Sequence, residues 1–231
     1  MIILALDTAS RYCSAAVYRD GEIIAEQAVC CGLVHSKTVM PMVNNVLSSC
    51  SLKPEQVDVF ACSSGPGSFT GIRIAVNAVK GLALPFNKPC AGVSTLEAAA
   101  EGIFAPGCVV CPVLDARCGQ VYTAVYKDGT CLLEPAPVAL DKLLDFLQGL
   151  NTGVIFCGDG AGLHRETAAE RLGGMAHFAP APLVDQRAAG VAAVAARMAE
   201  ENRLVSCFEL DAVYLRLSQA EREYEAKHNA H

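Results

Sequence analysis

The sequence predicts an α/β fold of two similar lobes, each a mixed sheet that opens with an antiparallel meander and continues with helices. Three observations carry that prediction. Of the 231 residues, 52% are hydrophobic and 18% charged, enough apolar surface for a sizeable core and too much for a disordered chain. The chain also repeats itself: LDTASRYCSAAVYRDG at Leu6–Gly21 returns as LDARCGQVYTAVYKDG at Leu114–Gly129. Asp7 and Asp115 lie 108 residues apart, as do Gly21 and Gly129, and seven of the sixteen paired positions are identical. Finally, helical and strand-like patterns alternate after each copy, which is the signature of α/β units.

Each copy opens on an apolar strand, 2–6 in the first and 109–114 in the second, that ends at an aspartate. A second strand follows (13–19; 120–127), then an Asp-Gly turn, the strongest short-range hairpin signal, then a third strand (22–29; 130–134). In the first half, Val39, Met40, Val43, Val46 and Leu47 recur at helical spacing within 34–50. Pro41 lies inside that stretch, either in the first turn or as a kink. A strand at 57–62 leads through glycines to a helix at 68–84, stopped near Pro85. A short strand at 90–93 precedes Ser94-Thr-Leu-Glu97, a capping-box pattern that opens another helix. In the second half, helices at 141–148 and 163–172 flank a strand at 154–157, and an alanine-rich helix covers 188–202. The boundary falls at 105–107, giving an N-terminal lobe of 1–105 and a C-terminal lobe of 106–231 with a charged tail at 216–231. Two meander-plus-α/β lobes describe the duplicated actin/Hsp70/sugar-kinase (ASKHA) superfold, a statement about fold and not about ATP.

Composition narrows the function classes. The net charge of −6 argues against a protein that grips nucleic acid by itself. The opening MIILALDTAS has no basic region before its apolar run and is interrupted by Asp7, so it reads as a buried strand and not a signal peptide. No apolar run is long enough to span a bilayer. A cytoplasmic setting follows, and there the twelve cysteines are reduced thiols used as small core hydrophobes. Cys108 and Cys111 have CxxC spacing, but on a strand they face opposite sides and there is no second pair. His35 precedes a helix start; His164, His177, His228 and His231 form no HExxH or HxxxH.

Two groups of residues are candidates for chemistry. Gly65, Gly67 and Ser68 lie in SSGPGSFTGIR, between a strand and a helix N-terminus, where backbone N–H groups can cradle an anion. The loop is not a P-loop, because no Lys follows its last glycine, and the alternative is a tight turn whose glycines permit close packing. Asp7 and Asp115 occupy equivalent hairpin positions, where acidic residues of superfold phosphotransferases approach the metal-phosphate. The plainer alternative is that each aspartate caps its own loop, and Arg117 beside Asp115 would crowd a phosphate.

ALDTAS, SSGPGSFTGIRIAV, GVSTLEAAA, LDARCGQVYTAVY and AVYLR, in this order along nearly the whole chain, resemble the TsaB (YeaZ) family. That family is the non-catalytic partner in bacterial tRNA threonylcarbamoyladenosine biosynthesis. The resemblance implies a scaffold or activator that pairs with a TsaD-like catalytic subunit and a TsaE-like ATPase, for threonylcarbamoylation of adenosine 37 in tRNAs reading ANN codons. It implies a homodimer when alone, tRNA met only through the complex, and ATP and metal held by the partner subunits. The catalytic relative's two metal-binding histidines fall on Thr95 and Ala99 here, neither of which replaces an imidazole. The implied partner face lies on the first-lobe helices, with Met40, Val43 and Leu47 on one and Gly71, Ala75 and Ala78 on the other. The alternatives kept beside it are an ATP-binding small-molecule kinase or carbamoyl-group transferase of the same superfold, and a metallopeptidase.

Overall fold

The computed structural model describes residues 1–216 apart from 31, 33, 104, 105, 117 and 118. Arg117, His228, His231 and nearly all of the charged tail therefore lie outside the described residues. The first lobe opens with β1 (Ile2–Asp7), β2 (Cys13–Arg19) and β3 (Glu22–Val29). It continues with α1 (His35–Ser49), β4 (Val59–Gly65), α2 (Phe69–Ala83), β5 (Cys90–Ser94) and α3 (Thr95–Ala100). The second repeats the plan with β6 (Cys108–Asp115), β7 (Gln120–Lys127), β8 (Thr130–Ala139), α4 (Leu140–Gly149) and β9 (Gly153–Cys157). After these come α5 (Asp159–Leu163), α6 (Arg165–Leu172), β10 (Ala176–Phe178), α7 (Ala181–Val184) and α8 (Ala188–Glu200).

The two sheets have the same order, β3-β2-β1-β4-β5 and β8-β7-β6-β9-β10. In each, the meander pairs antiparallel and the inner strand pairs parallel with the next one, so the repeat seen in the sequence is a repeat of topology. Asp20 and Asp128 take φ near +48° ahead of Gly21 and Gly129, the left-handed geometry that Asp-Gly hairpins favour. The meander's third strand in the second lobe runs ten residues, five longer than the pattern implied, because the alternation continues through Pro135 and Pro137 at a sheet edge.

The even and odd positions of β1 explain the layers. Leu4 and Leu6 join Ala15, Val17, Phe60 and Cys62 under α1 and α2. Ile3 and Ala5 join Ala16, Val59, Ala61, Ala91 and Val93 under α8. Residues 188–200, which chain order places with the second lobe, thus cover the first sheet. Its second face is as apolar as its first and would otherwise be exposed, and α8 offers an alanine-rich surface that fits closely there. Gly190 is part of that fit: a Cβ there would overlap the Ala98 carbonyl of α3. The segment after α8 follows the same sheet, bridging Val205 to Cys90 and giving the Val213 N–H to the Ser64 carbonyl at 2.7 Å. The second sheet packs one face on α4 and α6, and its other face meets α3 through Leu96, Leu114 and Ala124.

Local details depart from the expected boundaries. Ser94 is the N-cap of α3 but its hydroxyl makes no capping bond, so the capping-box pattern is not realised. Pro41 lies in the second turn of α1, not the first; it offers no N–H to the Lys37 carbonyl, and both residues are exposed to solvent. Ten cysteines fall among the described residues, all as free thiols, with Cys13, Cys62, Cys90, Cys111, Cys157 and Cys207 buried. Burial pushes the thiols of Cys13 and Cys90 up to about 11, which keeps them neutral.

The small residues of α2 serve its seat on the sheet. Gly71 lies so close to the end of β1 that a Cβ would overlap the Thr8 carbonyl, while the Thr8 hydroxyl donates to the Gly71 carbonyl at 2.6 Å. Gly71→Ala is expected to destabilise the protein by about 1–3 kcal/mol, as overpacking does. Gly81→Ala, on the same helix with open space around it, is expected to stabilise by about 0.5–1 kcal/mol. Urea unfolding of the two variants checks the contrast.

Candidate functional site

Three regions collect the residues singled out from the sequence. The first is the glycine loop after β4. Its three glycines meet backbone: Gly65 lies under the Val213 carbonyl, Gly67 under that of Ala9, and Gly71 under that of Thr8. The Ser68 N–H donates to the Ala9 carbonyl at 2.8 Å, and the Ser68 hydroxyl caps α2 by accepting from the Gly71 N–H. Two of the N–H groups that an anion would use, those of Ser68 and Gly71, are thus bonded within the chain.

The second region joins the two repeated hairpins. Asp7 is fully buried at the end of β1; its Oδ1 accepts from the Ala9 N–H at 2.8 Å, and its Oδ2 makes no hydrogen bond. Burial pushes its carboxyl up to about 7. The Ala9 N–H pulls it back, as does the Ser63 hydroxyl, which lies near without full hydrogen-bond geometry, while Asp159 pushes it further up. Asp159 takes the Asp115 N–H at 3.2 Å and is itself raised by burial. Asp185 holds Arg11 through both oxygens, at 2.7 and 3.3 Å. The structure thus brings Asp7 and Asp115 to one junction through Asp159, and Asp7 caps its own loop through the Ala9 N–H. Asp159, Asp185 and Arg11 were not found from sequence. The one available signal was Gly158-Asp-Gly160 directly after a short apolar strand; Asp185 and Arg11 are 174 residues apart and meet only in the fold.

Thr95 and Ala99 belong to the interior between the lobes. Thr95 is fully buried with its hydroxyl unpartnered, and Ala99 packs with Val110, Cys157 and Ala179, its carbonyl accepting from the Cys157 thiol at 3.4 Å. A methyl group and one neutral hydroxyl are not a donor set that fits a divalent metal. Nearby, a cavity of about 770 Å³ is lined by Glu97, Glu101, Tyr126, Arg197 and Arg203. Its arginines are already paired, Arg197 with Glu97 and Glu101, and Arg203 with Glu201.

The third region is the outer surface of α1 and α2. Of the six residues expected on it, Val43, Leu47, Gly71 and Ala75 are buried in the core under the sheet. Met40 and Ala78 do line a groove of about 490 Å³ between the helices, together with Val39, Phe69, Arg73 and Ile74. The stripe divides: Gly71 and Ala75 bring α2 close to the sheet, while Ala78 lies on the outward face with Thr70, Arg73 and Asn77. That polar-apolar mixture was present in the sequence as the complement of the buried stripe. At the groove's end the ring of Tyr214 stacks on Phe69, 4.2 Å apart and 5° from parallel, and its hydroxyl accepts from Arg73 Nε at 2.8 Å.

Fold and site together define a duplicated two-lobe protein of the actin/Hsp70/sugar-kinase class with a filled interior at α3 and an open helical groove. The likeness of fold extends to the ROK hexokinase of Thermus thermophilus, at a TM-score of 0.51 and 12% identity over 87% of this chain and all of that one, which speaks for fold alone. YeaZ from Pseudomonas aeruginosa superposes at a TM-score of 0.74 with 26% identity, over 93% of this chain and 99% of that one. The family model described as TsaD, tRNA N6-adenosine threonylcarbamoyltransferase, matches residues 30–224. The tRNA threonylcarbamoyladenosine biosynthesis protein TsaB of Bacillus subtilis (strain 168) is 33% identical over 97% of this chain and 98% of its own length. The chain belongs to the TsaB family. Among the described residues no helix is long and apolar enough to cross a membrane.

The Asp7 carboxyl makes stability depend on pH. Its folded pKa of about 7 lies above the 3.8 of an exposed aspartate, so the folded state holds the proton more tightly. Stability is unaffected by this group below about pH 4, falls as pH rises toward 7, and stays lowered above it, by up to about 4 kcal/mol. Asp7→Asn is expected to remove that fall, giving a variant more stable than wild type at pH 8 and similar to it at pH 4, as measured by urea unfolding across that range.

Proposed function

We propose that this chain is the non-catalytic scaffold and activator subunit of a tRNA-modifying complex. It pairs with a TsaD-like transferase and a TsaE-like ATPase for threonylcarbamoylation of adenosine 37 in tRNAs reading ANN codons. The observation that carries this reading is the open groove between α1 and α2, on a chain that matches a TsaB protein from end to end. The filled interior at Thr95 and Ala99 supports it, since the metal-binding histidines of a TsaD-like subunit have no equivalent there. On this reading ATP and metal belong to the partner subunits, tRNA is met through the complex, and the protein works in the cytoplasm. Alone it forms a homodimer through the same helices.

A kinase or carbamoyl-transferase reading would need Asp7 and the glycine loop to face a nucleotide phosphate. It is the weaker one, because Ser68 N–H is spent on Ala9 and Asp7 is fully buried near Asp159.

The test is reconstitution. Threonylcarbamoylation of tRNA by the TsaD-like and TsaE-like proteins should require this chain, and unchanged activity in its absence would refute the proposal. Two arginine substitutions on α2 separate face from core. Ala78→Arg, in the groove, should leave the thermal unfolding midpoint within a few degrees of wild type while weakening pairing by about tenfold or more. Ala75→Arg, fully buried, should fail to fold, since an unpaired buried charge costs several kcal/mol, about 3–5 by precedent. Circular dichroism and co-purification read both.

A further inference from the structure

The cavity of about 770 Å³ lies where the two lobes meet, on the opposite face of the first sheet from the α1/α2 groove. Its volume is that of a small-molecule site, which spans about 300–1,000 Å³. The C-terminal ends of α3 and α8 line one side, and β6, β7 and the β7–β8 turn line the other. Part of the lining is apolar, with Ala100, Ile103, Val110 and the ring of Tyr126. Tyr126 packs half-buried against Leu96, Leu114 and Ala124, which fixes its ring, and burial pushes its phenol up, which keeps it neutral. The rest of the lining is charged, and the charges do not balance. Four carboxylates, those of Glu97, Glu101, Asp128 and Glu201, stand against the guanidiniums of Arg197 and Arg203, which leaves two negative charges over. Arg197 bonds Glu101 at 2.7 Å and Glu97 at 3.1 Å, and Arg203 bonds Glu201 at 2.6 Å. Among the described residues the second oxygen of each glutamate makes no hydrogen bond, and Asp128 has no ion pair. The left-handed turn at Asp128 asks for Asp, Asn or Gly but not for a charge. The end of α8, where the helix dipole is negative, adds to the same sign.

We propose that this cavity between the lobes binds a small organic cation, an amine or guanidinium carried on an apolar stem. The unspent carboxylate oxygens take the charge, and Ala100, Ile103, Val110 and Tyr126 take the stem. A cation over the face of Tyr126 gains further from the ring. An anion fits less well, because Arg197 is spent on two carboxylates and a ligand that reaches Arg203 meets Glu201 as well. A bare metal ion also fits less well: among the described residues no three ligating side chains gather to hold one, and an ion would leave the apolar wall unused. The ligand touches α3 and α8 on one side and the second sheet on the other, so its binding ties the two lobes together. The cavity is remote from the pairing helices, and the proposal stands or falls separately from the pairing through α1 and α2.

The experiment is calorimetric titration of the full-length chain at low salt with cadaverine and agmatine, with glutarate as the anion of similar stem, and with a lysine blocked at both ends. One cation per chain should bind with a Kd of about 1 mM or tighter, more weakly as salt is raised, and at least about tenfold tighter than glutarate. Asp128→Asn keeps the left-handed turn, since Asn accepts that backbone, and should weaken binding about fivefold. Tyr126→Leu removes the aromatic face and should weaken it about tenfold. Glu170→Gln, on α6 across the second sheet from the cavity, should bind like wild type and exclude a response to overall charge. Binding of the free diamines identifies a small metabolite as the source of the cation; binding of the blocked lysine alone identifies a polypeptide side chain, and both support the site. Absence of binding by every cation at millimolar concentration would overturn the proposal. So would tighter binding of glutarate, or an affinity unchanged in an Asp128→Asn protein that circular dichroism shows to be folded.

Discussion

Where β1 ends, the Thr8 and Ala9 carbonyls press against Gly71 and Gly67, and α2 lies there because neither position carries a side chain. The Thr8 hydroxyl and the Ser68 N–H tie the two segments together across that contact. With α2 placed so close, its Ile72, Ala75, Val76 and Val79 reach the sheet, α1 packs beside it over β2 and β3, and the groove between the two helices faces outward. The same contact takes up the Ser68 N–H at the start of α2. One close approach therefore builds the first lobe's outer layer and fixes the path of the glycine loop.

The interior of the molecule is organised by α3 and α8. Arg197 of α8 holds Glu97 and Glu101 of α3, Gly190 lets the two helices cross, and α3 presents Leu96 and Ala99 to the second sheet. The C-terminal segment extends this link: Val213 bonds the end of β4, Tyr214 stacks on α2, and Arg216 donates to the Ala116 carbonyl in the second lobe at 2.6 Å. The lobes are thus bound by a packed helix and by a crossing strap, and the outer groove and the junction of the two hairpins share neighbours along that strap. Charge is partitioned in the same way, with aspartates gathered at the hairpin junction and an acid-free pair of helices outside.

Most of the fold was legible because its signals are local. The Asp-Gly turns, the 108-residue repeat and the alternation of apolar runs depend on residues a few positions apart, and the strands 13–19 and 22–29 match their expected limits. The helical stripe of α2 was legible as a stripe, but which side it faced was not. A row of Gly and Ala suits a partner helix and a tightly packed sheet equally well, and only the position of Thr8 tells them apart. The capping pattern at Ser94 was legible too, but it does not fix the hydroxyl's direction, and in the fold that oxygen is buried without a hydrogen bond to the first turn of α3.

By itself, then, the sequence determined two lobes of one plan, a reduced-thiol core and a family likeness, all of which follow from composition, periodicity and short motifs. Tertiary structure alone decided that α8 covers the first sheet, that Asp7 is buried beside Asp159 with its carboxyl pushed up to about 7, and that Met40, Arg73 and Ala78 face outward while Val43, Leu47 and Ala75 do not. Each of these depends on contacts between residues far apart in the chain. No local pattern encodes them, because burial is set by what lies across the interface and not by the residue's own neighbours in sequence.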